Sequence, residues 1–326
     1  MSLWDRLEGI RQQRVREARP QSDHRAEVKN TSSDAGDFCC GMELQFLLGP
    51  PDLQWPAIST DSLLHNLQLV RGVGPVYARL LSSVGKNSIA DLIEIPRWQD
   101  KAALALAAVE QGDLRTLRLL GASDYELLAY FAPQDLAFID IETIGLWMNQ
   151  PLFLVGILTL APDGDRLWIR QFWARNLAEE AEVLRAATST LSRYPVMVSF
   201  NGKRFDLPFI EGRCLENGLV PPTPRLHIDL LYWARRSYRP FLPDCRLQTL
   251  ERSVWGQVRE SDIPGELIPQ AYFQFLRTRD YSIIETILEH NQRDLISLVE
   301  LFNRLGPAEG DESVRRPEPH CPSKQA

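Results

Sequence analysis

The sequence predicts an α/β fold, in which a mixed sheet flanked by helices follows a small all-α domain. Two observations carry this prediction. From about residue 59 to 130, apolar residues recur at helical spacing. From residue 136 onward, short apolar runs bounded by turn residues alternate with longer amphipathic segments. Three strands followed by helix, strand, helix, strand and helix is an α/β order.

The strands are predicted from apolar runs that end at turns or at helix starts. A turn at 162–165 joins the second strand to the third, which makes that edge of the sheet a hairpin. The predicted strands are 136–139, 153–160, 167–173, 196–200 and a short one ending near Ile228. The predicted helices are 177–191, 205–217 and a long last helix over 282–303.

Four parts are predicted along the 326 residues. Residues 1–51 are polar and mixed in charge, and we expect them to be mostly disordered, with amphipathic spacing over 3–15. Residues 52–130 form the helical domain and 131–305 the α/β domain. The proline-rich end, 306–326, is expected to be a disordered tail.

Charge and cysteine usage restrict the class of protein. A net charge of −7 argues against a protein that coats nucleic acid, but a nuclease needs only a local basic patch. The five cysteines (Cys39, Cys40, Cys214, Cys245 and Cys321) lack C-x-x-C spacing, which argues against zinc and fits reduced thiols. Without an apolar leader or a membrane-length apolar run, the sequence predicts a cytoplasmic protein with no membrane partner.

Two carboxylates end the first predicted strand of the α/β domain. Asp140 and Glu142 stand at positions i and i+2, so they point to the same face. Two such groups beside apolar residues repel each other and are costly to desolvate, and a divalent cation removes that cost. The alternative is that Asp140 begins a turn and Glu142 faces solvent.

A third acid follows the fourth strand. The stretch 199–206 runs from a buried strand through a glycine turn to a helix, which places Asp206 in the first helical turn near a strand end. Ligands of open α/β sheets collect at such strand ends. The alternative is an acid favoured by the helix dipole, with Asn201 serving only as a turn residue.

The fourth acid lies in the last helix. His290 and Asp294 are four residues apart and therefore share a helix face. Asp294 lies beside the apolar stripe of Ile287, Leu295 and Leu298, an unusual place for an idle acid. The alternative is a surface histidine–aspartate pair.

Together these elements resemble the DEDD exonucleases, the DnaQ-like branch of the ribonuclease H-like superfamily. Within that branch the chain is similar to the YprB-type ribonuclease H-like domain, over roughly 132–305. The residues that carry this resemblance are Phe138-Ile139-Asp140-Ile141-Glu142-Thr143, Ser199-Phe200-Asn201-Gly202-Lys203, Phe205-Asp206, Cys245-Arg246-Leu247-Gln248-Thr249-Leu250-Glu251, Asp262-Ile263-Pro264-Gly265, and His290-Asn291 with Asp294.

The resemblance implies a ribonuclease H-like mixed sheet and a metal-dependent 3′–5′ exonuclease. It implies that Asp140, Glu142, Asp206 and Asp294 hold two divalent ions, Mg²⁺ or Mn²⁺, with Asp140 bridging both. His290 would orient or deprotonate the attacking water. In the family's histidine subclass the histidine precedes the last aspartate by five residues, and in its tyrosine subclass a tyrosine precedes it by four. Here a histidine stands at the tyrosine spacing, so the chain departs from both subclasses at this position.

Polar and aromatic residues near the acids are candidate nucleic-acid contacts. Asn201, Lys203 and Arg204 lie in the turn before Asp206. Further candidates are Arg235, Arg236 and Arg239 for phosphates and Tyr232, Trp233 and Tyr238 for stacked bases. The alternative is a solvated helix face with core aromatics. We interpret Asp229 as a helix cap rather than a fifth ligand.

Residues 69–81 resemble a helix-hairpin-helix, and 84–92 continue the resemblance. Gly72 and Gly74 allow a tight turn, and Pro75 suits the first position of the next helix. Free N–H groups at that helix start can bind a phosphate, with Arg79 and Lys86 nearby. Many such motifs have lysine where this chain has Val76. The alternative is a hairpin that packs against protein only.

These observations predict an exonuclease acting on nucleic acid, with DNA favoured over RNA by the hairpin segment. Two other functions remain open. One is a nucleic-acid-binding module without turnover, against which the complete acidic set argues. The other is a ribonuclease H-like endonuclease, which would cut a closed circle.

Overall fold

A computed structural model describes residues 42–48, 53, 55–56, 58–162, 164, 166–259 and 262–310. The spacing predicted as a helix at 3–15, the rest of the predicted disordered segment outside 42–48 and the tail beyond 310 lie outside the described residues. Cys39, Cys40 and Cys321 lie there too. Both described cysteines, Cys214 and Cys245, are free thiols.

A single mixed sheet of six strands forms the centre of the described fold, in the order β1-β4-β3-β2-β5-β6. The first four strands of that order pair antiparallel, whereas β2 pairs with β5 and β5 with β6 in parallel. The strands are β1 (Met42–Leu48), β2 (Leu136–Thr143), β3 (Leu152–Leu160), β4 (Leu167–Trp173), β5 (Val196–Ser199) and β6 (Leu226–Asp229).

Twelve α-helices are present in the described residues. Six precede β2 and form the helical segment: α1 (Thr60–Leu64), α2 (Pro75–Ser83), α3 (Ile89–Ile93), α4 (Gln99–Gln111), α5 (Leu114–Leu120) and α6 (Asp124–Leu127). The others surround the sheet: α7 (Glu180–Leu191), α8 (Asp206–Glu216), α9 (Leu230–Tyr238), α10 (Leu247–Val254), α11 (Ile268–Thr278) and α12 (Tyr281–Gly310).

The sheet separates two hydrophobic cores. Strand β2 alternates between them, because Leu136 and Phe138 join one core while Ala137 and Ile139 join the other. The first core contains the helical segment, α9 and the second half of α12. The second contains α7, α8, α11 and the first half of α12. Helix α12 therefore passes from one core to the other between Leu288 and Leu295, where the sequence places His290 and Asp294.

The predicted α/β order with a mixed sheet flanked by helices is confirmed. Each predicted strand and helix from residue 136 onward is present, with ends displaced by a few residues. The prediction of a mostly disordered segment up to residue 51 is wrong for 42–48, which form β1 against β4. The predicted tail boundary is displaced too, because α12 continues to Gly310.

The helical segment shares its core with the sheet. Tyr125 of α6 packs edge-on against Trp233 of α9, with ring centroids 6.2 Å apart. Trp233 in turn contacts Phe302 of α12 at 6.1 Å, and Phe302 contacts Phe138 of β2 at 5.7 Å. Trp233 and Tyr238 are thus core residues, each 7% exposed, rather than free base-stacking groups. Tyr232 is exposed.

No helix among the described residues combines the length and the apolar character that crossing a membrane requires.

Candidate active site

Asp140 and Glu142 lie at the carboxyl end of β2, on one face of that strand and half-buried. Asp140 pairs in register with Gly156 of β3. The register of β2 on β3 shifts between Glu142 and Thr143, so regular pairing ends where the second acid stands. Strand pleating and this irregularity place both carboxylates at an open edge beside the core.

Asp206 reaches the same place from the turn after β5. It is the first residue of α8 and only 4% exposed. The turn is tight because Gly202 lies against Ser199: a Cβ on Gly202 would stand 2.2 Å from Ser199 Oγ and 3.1 Å from Asp206 Oδ2. A side chain at this position would therefore have to displace Ser199 and would press on the carboxylate of Asp206.

Asp229 fixes the other side of that turn. Its Oδ1 accepts hydrogen bonds from the N–H of Leu231 (3.1 Å) and of Asn201 (2.8 Å), and its Oδ2 accepts one from Lys203 N–H (3.1 Å). The predicted helix-cap role of Asp229 is confirmed. Asn201 has a φ of 67°, a left-handed conformation that asparagine tolerates better than most residues. The cap thus orients the turn that carries Asp206.

Asp294 and His290 complete the cluster from α12. His290 is 5% exposed, and its Nε2 lies 3.4 Å from Asp294 Oδ2. On the opposite side of the ring, Nδ1 lies 3.0 Å from both oxygens of Asp262. The spacing of four residues along α12 therefore brings the imidazole to Asp294, and Asp262 fixes the ring orientation.

The closeness of the four acids shifts the pKa values of three of them. Desolvation, followed by repulsion from Asp294, Glu142 and Asp206, raises the pKa of Asp140 well above its ordinary value. Desolvation raises the pKa of Glu142 to about 8, and that of Asp206 to about 7. All three shifts mean that the charged forms are unfavourable in the metal-free protein.

For His290, in contrast, the shift of the pKa favours the charged form. Burial alone would lower its pKa, but hydrogen bonds to Asp262 and Asp294 and the charge of Glu142 raise the pKa to about 11. Desolvation would raise the pKa of Asp262, yet the hydrogen bond to His290 and the contact with Arg259 hold it below its ordinary value. In the metal-free protein Arg259, Asp262 and His290 therefore alternate in charge.

Arg259 is the main residue that sequence reasoning missed. Its guanidinium contacts Asp294, forms a double hydrogen bond with Glu251, and lies 3.0 Å from Asp262 Oδ2. The side chain of Arg259 is 6% exposed, so these contacts are shielded from water. Glu251 and Asp262 belong to the segments quoted for the resemblance, but nothing in their spacing indicated a shared arginine.

The donor set fits a hard divalent cation, because four carboxylates offer oxygen ligands and repel each other without a positive charge between them. Within the described residues, no group of three or more such side chains already has a geometry that could hold a metal ion. Asp294 accounts for part of this, since Arg259 and His290 occupy both of its oxygens. An ion at Asp294 would have to displace or share these contacts.

The predicted nucleic-acid contacts near the acids are only partly free. Arg204 is exposed beside the turn. The ammonium of Lys203 forms an ion pair with Asp124 of α6, and its backbone N–H donates to Asp229. Asn201 is half-buried. The structure therefore leaves Arg204 as the more available cation of the pair.

The segment that resembles a helix-hairpin-helix contains a glycine turn followed by α2. Gly72 has a φ of 99°, Gly74 precedes α2 as its N-cap, and Pro75 is the first residue of α2. The first helix is short, since α1 is followed by a single 3₁₀ turn at Leu67–Leu69.

Cations surround this turn. Arg79 is exposed, whereas Lys86 pairs with Glu94 at 2.7 Å. Sequence reasoning missed Lys101, whose Nζ lies 3.8 Å from the position a Cβ would take on Gly72. It also missed Arg97, which stacks at 5.1 Å on both Tyr77 and Trp98. Lys101 thus lies beside the turn itself, whereas Lys86 is paired with an acid and Arg97 is held against two aromatic rings.

Comparison with known proteins places this geometry in a family. The model of the RNase_H superfamily matches residues 137–306, the span from β2 to α12 that carries all four acids and His290. The chain belongs to the RNase H superfamily. Nucleases of this superfamily generally use divalent metal ions, in agreement with the chemistry of the donor set.

Two individual proteins are similar to this member of the superfamily. The uncharacterized protein YprB of Bacillus subtilis (strain 168) is 31% identical over 172 residues, which are 52% of this chain and 41% of that protein. This chain therefore spans about two-fifths of the length of the curated relative it matches. The family B DNA polymerase of Pyrobaculum calidifontis matches with 17% identity and a TM-score of 0.40, over 54% of this chain and 24% of the polymerase.

Proposed function

We propose that this protein is a metal-dependent 3′–5′ exonuclease of the DEDD type. The observation that carries the proposal is the convergence of Asp140, Glu142, Asp206 and Asp294 at one edge of the sheet, with desolvation and mutual repulsion raising the pKa values of the first three. A protein retains such an unfavourable cluster where a cation is to be bound. Membership of the RNase H superfamily supports the same conclusion.

Each residue of the cluster has a role in this proposal. The four carboxylates would hold two divalent ions, Mg²⁺ or Mn²⁺, which supply a polarised phosphate and a hydroxide-like nucleophile at neutral pH. With Asp294 bound to a cation instead of to the ring, and His290 deprotonated, Nε2 would be free to accept a proton of the attacking water, while Asp262 keeps the ring in place through Nδ1.

We further propose that DNA is the favoured substrate and that the hairpin holds it. The first turn of α2 carries backbone N–H groups without partners inside the helix, which suit a phosphate. Gly74 is exposed at this point, and Lys101 lies beside Gly72. Such contacts grip the backbone without reading sequence.

The test uses end-labelled single-stranded and duplex DNA and RNA, with Mg²⁺, with Mn²⁺ and with excess EDTA. We expect mononucleotide release from a 3′ end, stopped by EDTA. Asp140→Asn should abolish cleavage in a folded protein. The matched control is Glu216→Gln, which removes an exposed acid from α8 and should leave the rate unchanged.

Closed circular DNA distinguishes the two open alternatives. Cutting of a circle would show that the protein is an endonuclease and not an exonuclease. Binding of all substrates with no cleavage in either metal would indicate a module without turnover. Full activity of Asp140→Asn, or activity in excess EDTA, would refute the metal site itself.

A further inference from the structure

Asn291 is a fully buried polar residue that the proposed mechanism does not use. It follows His290 on α12 and is 0% exposed. Its Nδ2 donates to Asp140 Oδ2 (2.7 Å) and to the main-chain oxygen of Asp140 (3.2 Å). One amide thus contacts both the carboxylate and the backbone of the central acid.

The other end of the Asn291 amide is also fixed. Gln171 of β4, likewise 0% exposed, donates from Nε2 to Asn291 Oδ1 (2.7 Å) and to the main-chain oxygen of Leu288 (2.8 Å). A main-chain oxygen can only accept, so Leu288 requires an N–H of Gln171 on that side. The second N–H of Gln171 then meets Oδ1 of Asn291, which leaves only Nδ2 of Asn291 to face Asp140.

This orientation of the Gln171 amide leaves one buried polar atom without a hydrogen bond. Gln171 Oε1 has no hydrogen-bond partner among the described residues. A buried amide oxygen without a partner is unfavourable, so the arrangement is not simply the best local set of hydrogen bonds. Both donors of Gln171 are instead used toward Leu288 and Asn291.

Gly156 makes the approach of Asn291 sterically feasible. It lies between Asp140 and Gln171 in the sheet register, so the three residues form one row across β2, β3 and β4. A Cβ on Gly156 would stand 2.1 Å from Asn291 Oδ1 and 2.8 Å from its Cγ. Any side chain at 156 would therefore displace the amide from its place over the sheet.

We infer that Asn291 is a positioning residue for Asp140, and that Gln171 and Gly156 exist in this row to fix the direction of its amide. The inference rests on the proposed function, in which Asp140 is a metal ligand. By holding Oδ2, Asn291 selects one carboxylate rotamer and leaves Oδ1 free to receive a cation. Groups that orient a metal ligand typically contribute about 10–100-fold to metal affinity.

The test measures Mn²⁺ affinity by calorimetry on protein freed of metal with EDTA, together with the melting temperature. Asn291→Ala should weaken Mn²⁺ binding by about 10–100-fold. The matched control is Asn303→Ala, which removes another buried asparagine from α12, 6% exposed. That control should lower the melting temperature without changing Mn²⁺ affinity.

A size exchange separates positioning from packing. Gly156→Ala should lower both the melting temperature and the Mn²⁺ affinity, because its methyl group collides with the amide. Adding Asn291→Ala to Gly156→Ala removes the colliding atoms, so the melting temperature should recover while the affinity stays at the level of Asn291→Ala. Recovery of both quantities would overturn the inference, since the amide would then matter only as filling.

Two further outcomes are decisive. If Asn291→Ala does not fold, Gln171→Leu takes its place, and we expect a several-fold loss of Mn²⁺ affinity because the amide is no longer fixed. An affinity within about twofold of wild type in the folded variant refutes the positioning role. Asp140→Asn separates the two proposals: if it leaves Mn²⁺ binding intact, the metal site is wrong, whereas if it abolishes binding and Asn291→Ala does not weaken it, only the positioning role falls.

Discussion

Replacing Glu142 by glutamine should make the metal-free protein more stable and the metal-bound protein less so. Desolvation, followed by the surrounding charges, raises the pKa of Glu142 from 4.5 to about 8. A carboxyl group with a raised folded-state pKa binds its proton more tightly in the folded protein. Stability in EDTA therefore falls as the pH rises from about 4.5 to about 8.

The magnitude follows from the same shift. At pH 7 a group with these two pKa values destabilises the folded state by about 3 kcal/mol. Glu142 is half-buried, so solvent screening reduces this to about 1–2 kcal/mol. For a protein of this size, Glu142→Gln should raise the melting temperature in EDTA at pH 7 by about 2–8 °C.

The assay is thermal unfolding in EDTA at pH 5 and pH 7, repeated with saturating Mn²⁺. We expect the advantage of Glu142→Gln to fall to about a quarter of its pH 7 value at pH 5. It should reverse with Mn²⁺, because glutamine is a poorer ligand. Glu216→Gln, an exposed change, should show neither effect. A lower melting temperature for Glu142→Gln in EDTA at pH 7, or a Mn²⁺-induced rise equal to that of wild type, would refute a ligand role for Glu142.

Three other predictions concern separate parts of the molecule. His290→Ala should lower kcat by about 10²–10⁴-fold at saturating Mn²⁺, and His290→Tyr should restore part of it because the spacing is that of a tyrosine; an unchanged kcat for His290→Ala would limit the imidazole to holding Asp294. Gly74→Val should fold normally, since no atom lies within 4 Å of its added Cβ. It should weaken duplex DNA binding, measured by anisotropy, and reduce the slope of log affinity against log salt concentration by about one. An unchanged slope would assign the hairpin to protein packing. His227 is buried against Ser199, and burial, followed by Lys203 and Arg118, lowers its pKa to about 4, so its contribution is complete above pH 6.5 and decreases as the pH falls toward 4. Between pH 7 and 5 the unfolding free energy of His227→Gln should therefore lose about 2 kcal/mol less than that of wild type, and equal losses would contradict the shift.

What the sequence predicted well were positions set by local periodicity. The i, i+2 spacing of Asp140 and Glu142 on a strand, and the i, i+4 spacing of His290 and Asp294 on a helix, fix which face each side chain occupies. The packing of α12 against β2 and β3 then brings these groups together at the carboxyl end of β2. The strand missed at 42–48 also carries a periodic signal, because apolar Met42, Leu44 and Phe46 alternate with Glu43 and Gln45. Its polar surroundings outweighed that short pattern.

What the sequence could not predict were contacts between distant segments. Arg259 meets Asp294 across 35 residues, and Asn291 meets Asp140 across 151. Neither contact leaves a periodic trace, since each depends on the final packing of a loop or helix on the sheet. Trp233 was equally consistent with a stacking surface and with the core, and only its contacts with Tyr125 and Phe302 decide for the core. Sequence patterns thus predicted positions within one element but not contacts between distant elements.

The aromatic contacts from Tyr125 through Trp233 to Phe302 decide how the hairpin can deliver nucleic acid. A binding module on a flexible tether raises the local concentration of its ligand by an amount set by tether length. Here the hairpin segment and the acidic site share one core, and Lys203 beside the site is paired to Asp124 of α6. A duplex held at the hairpin would therefore meet the acids at one fixed distance along its axis. Such a grip would hold the 3′ end at a constant place relative to the acids, with no tether length to set how often the two meet.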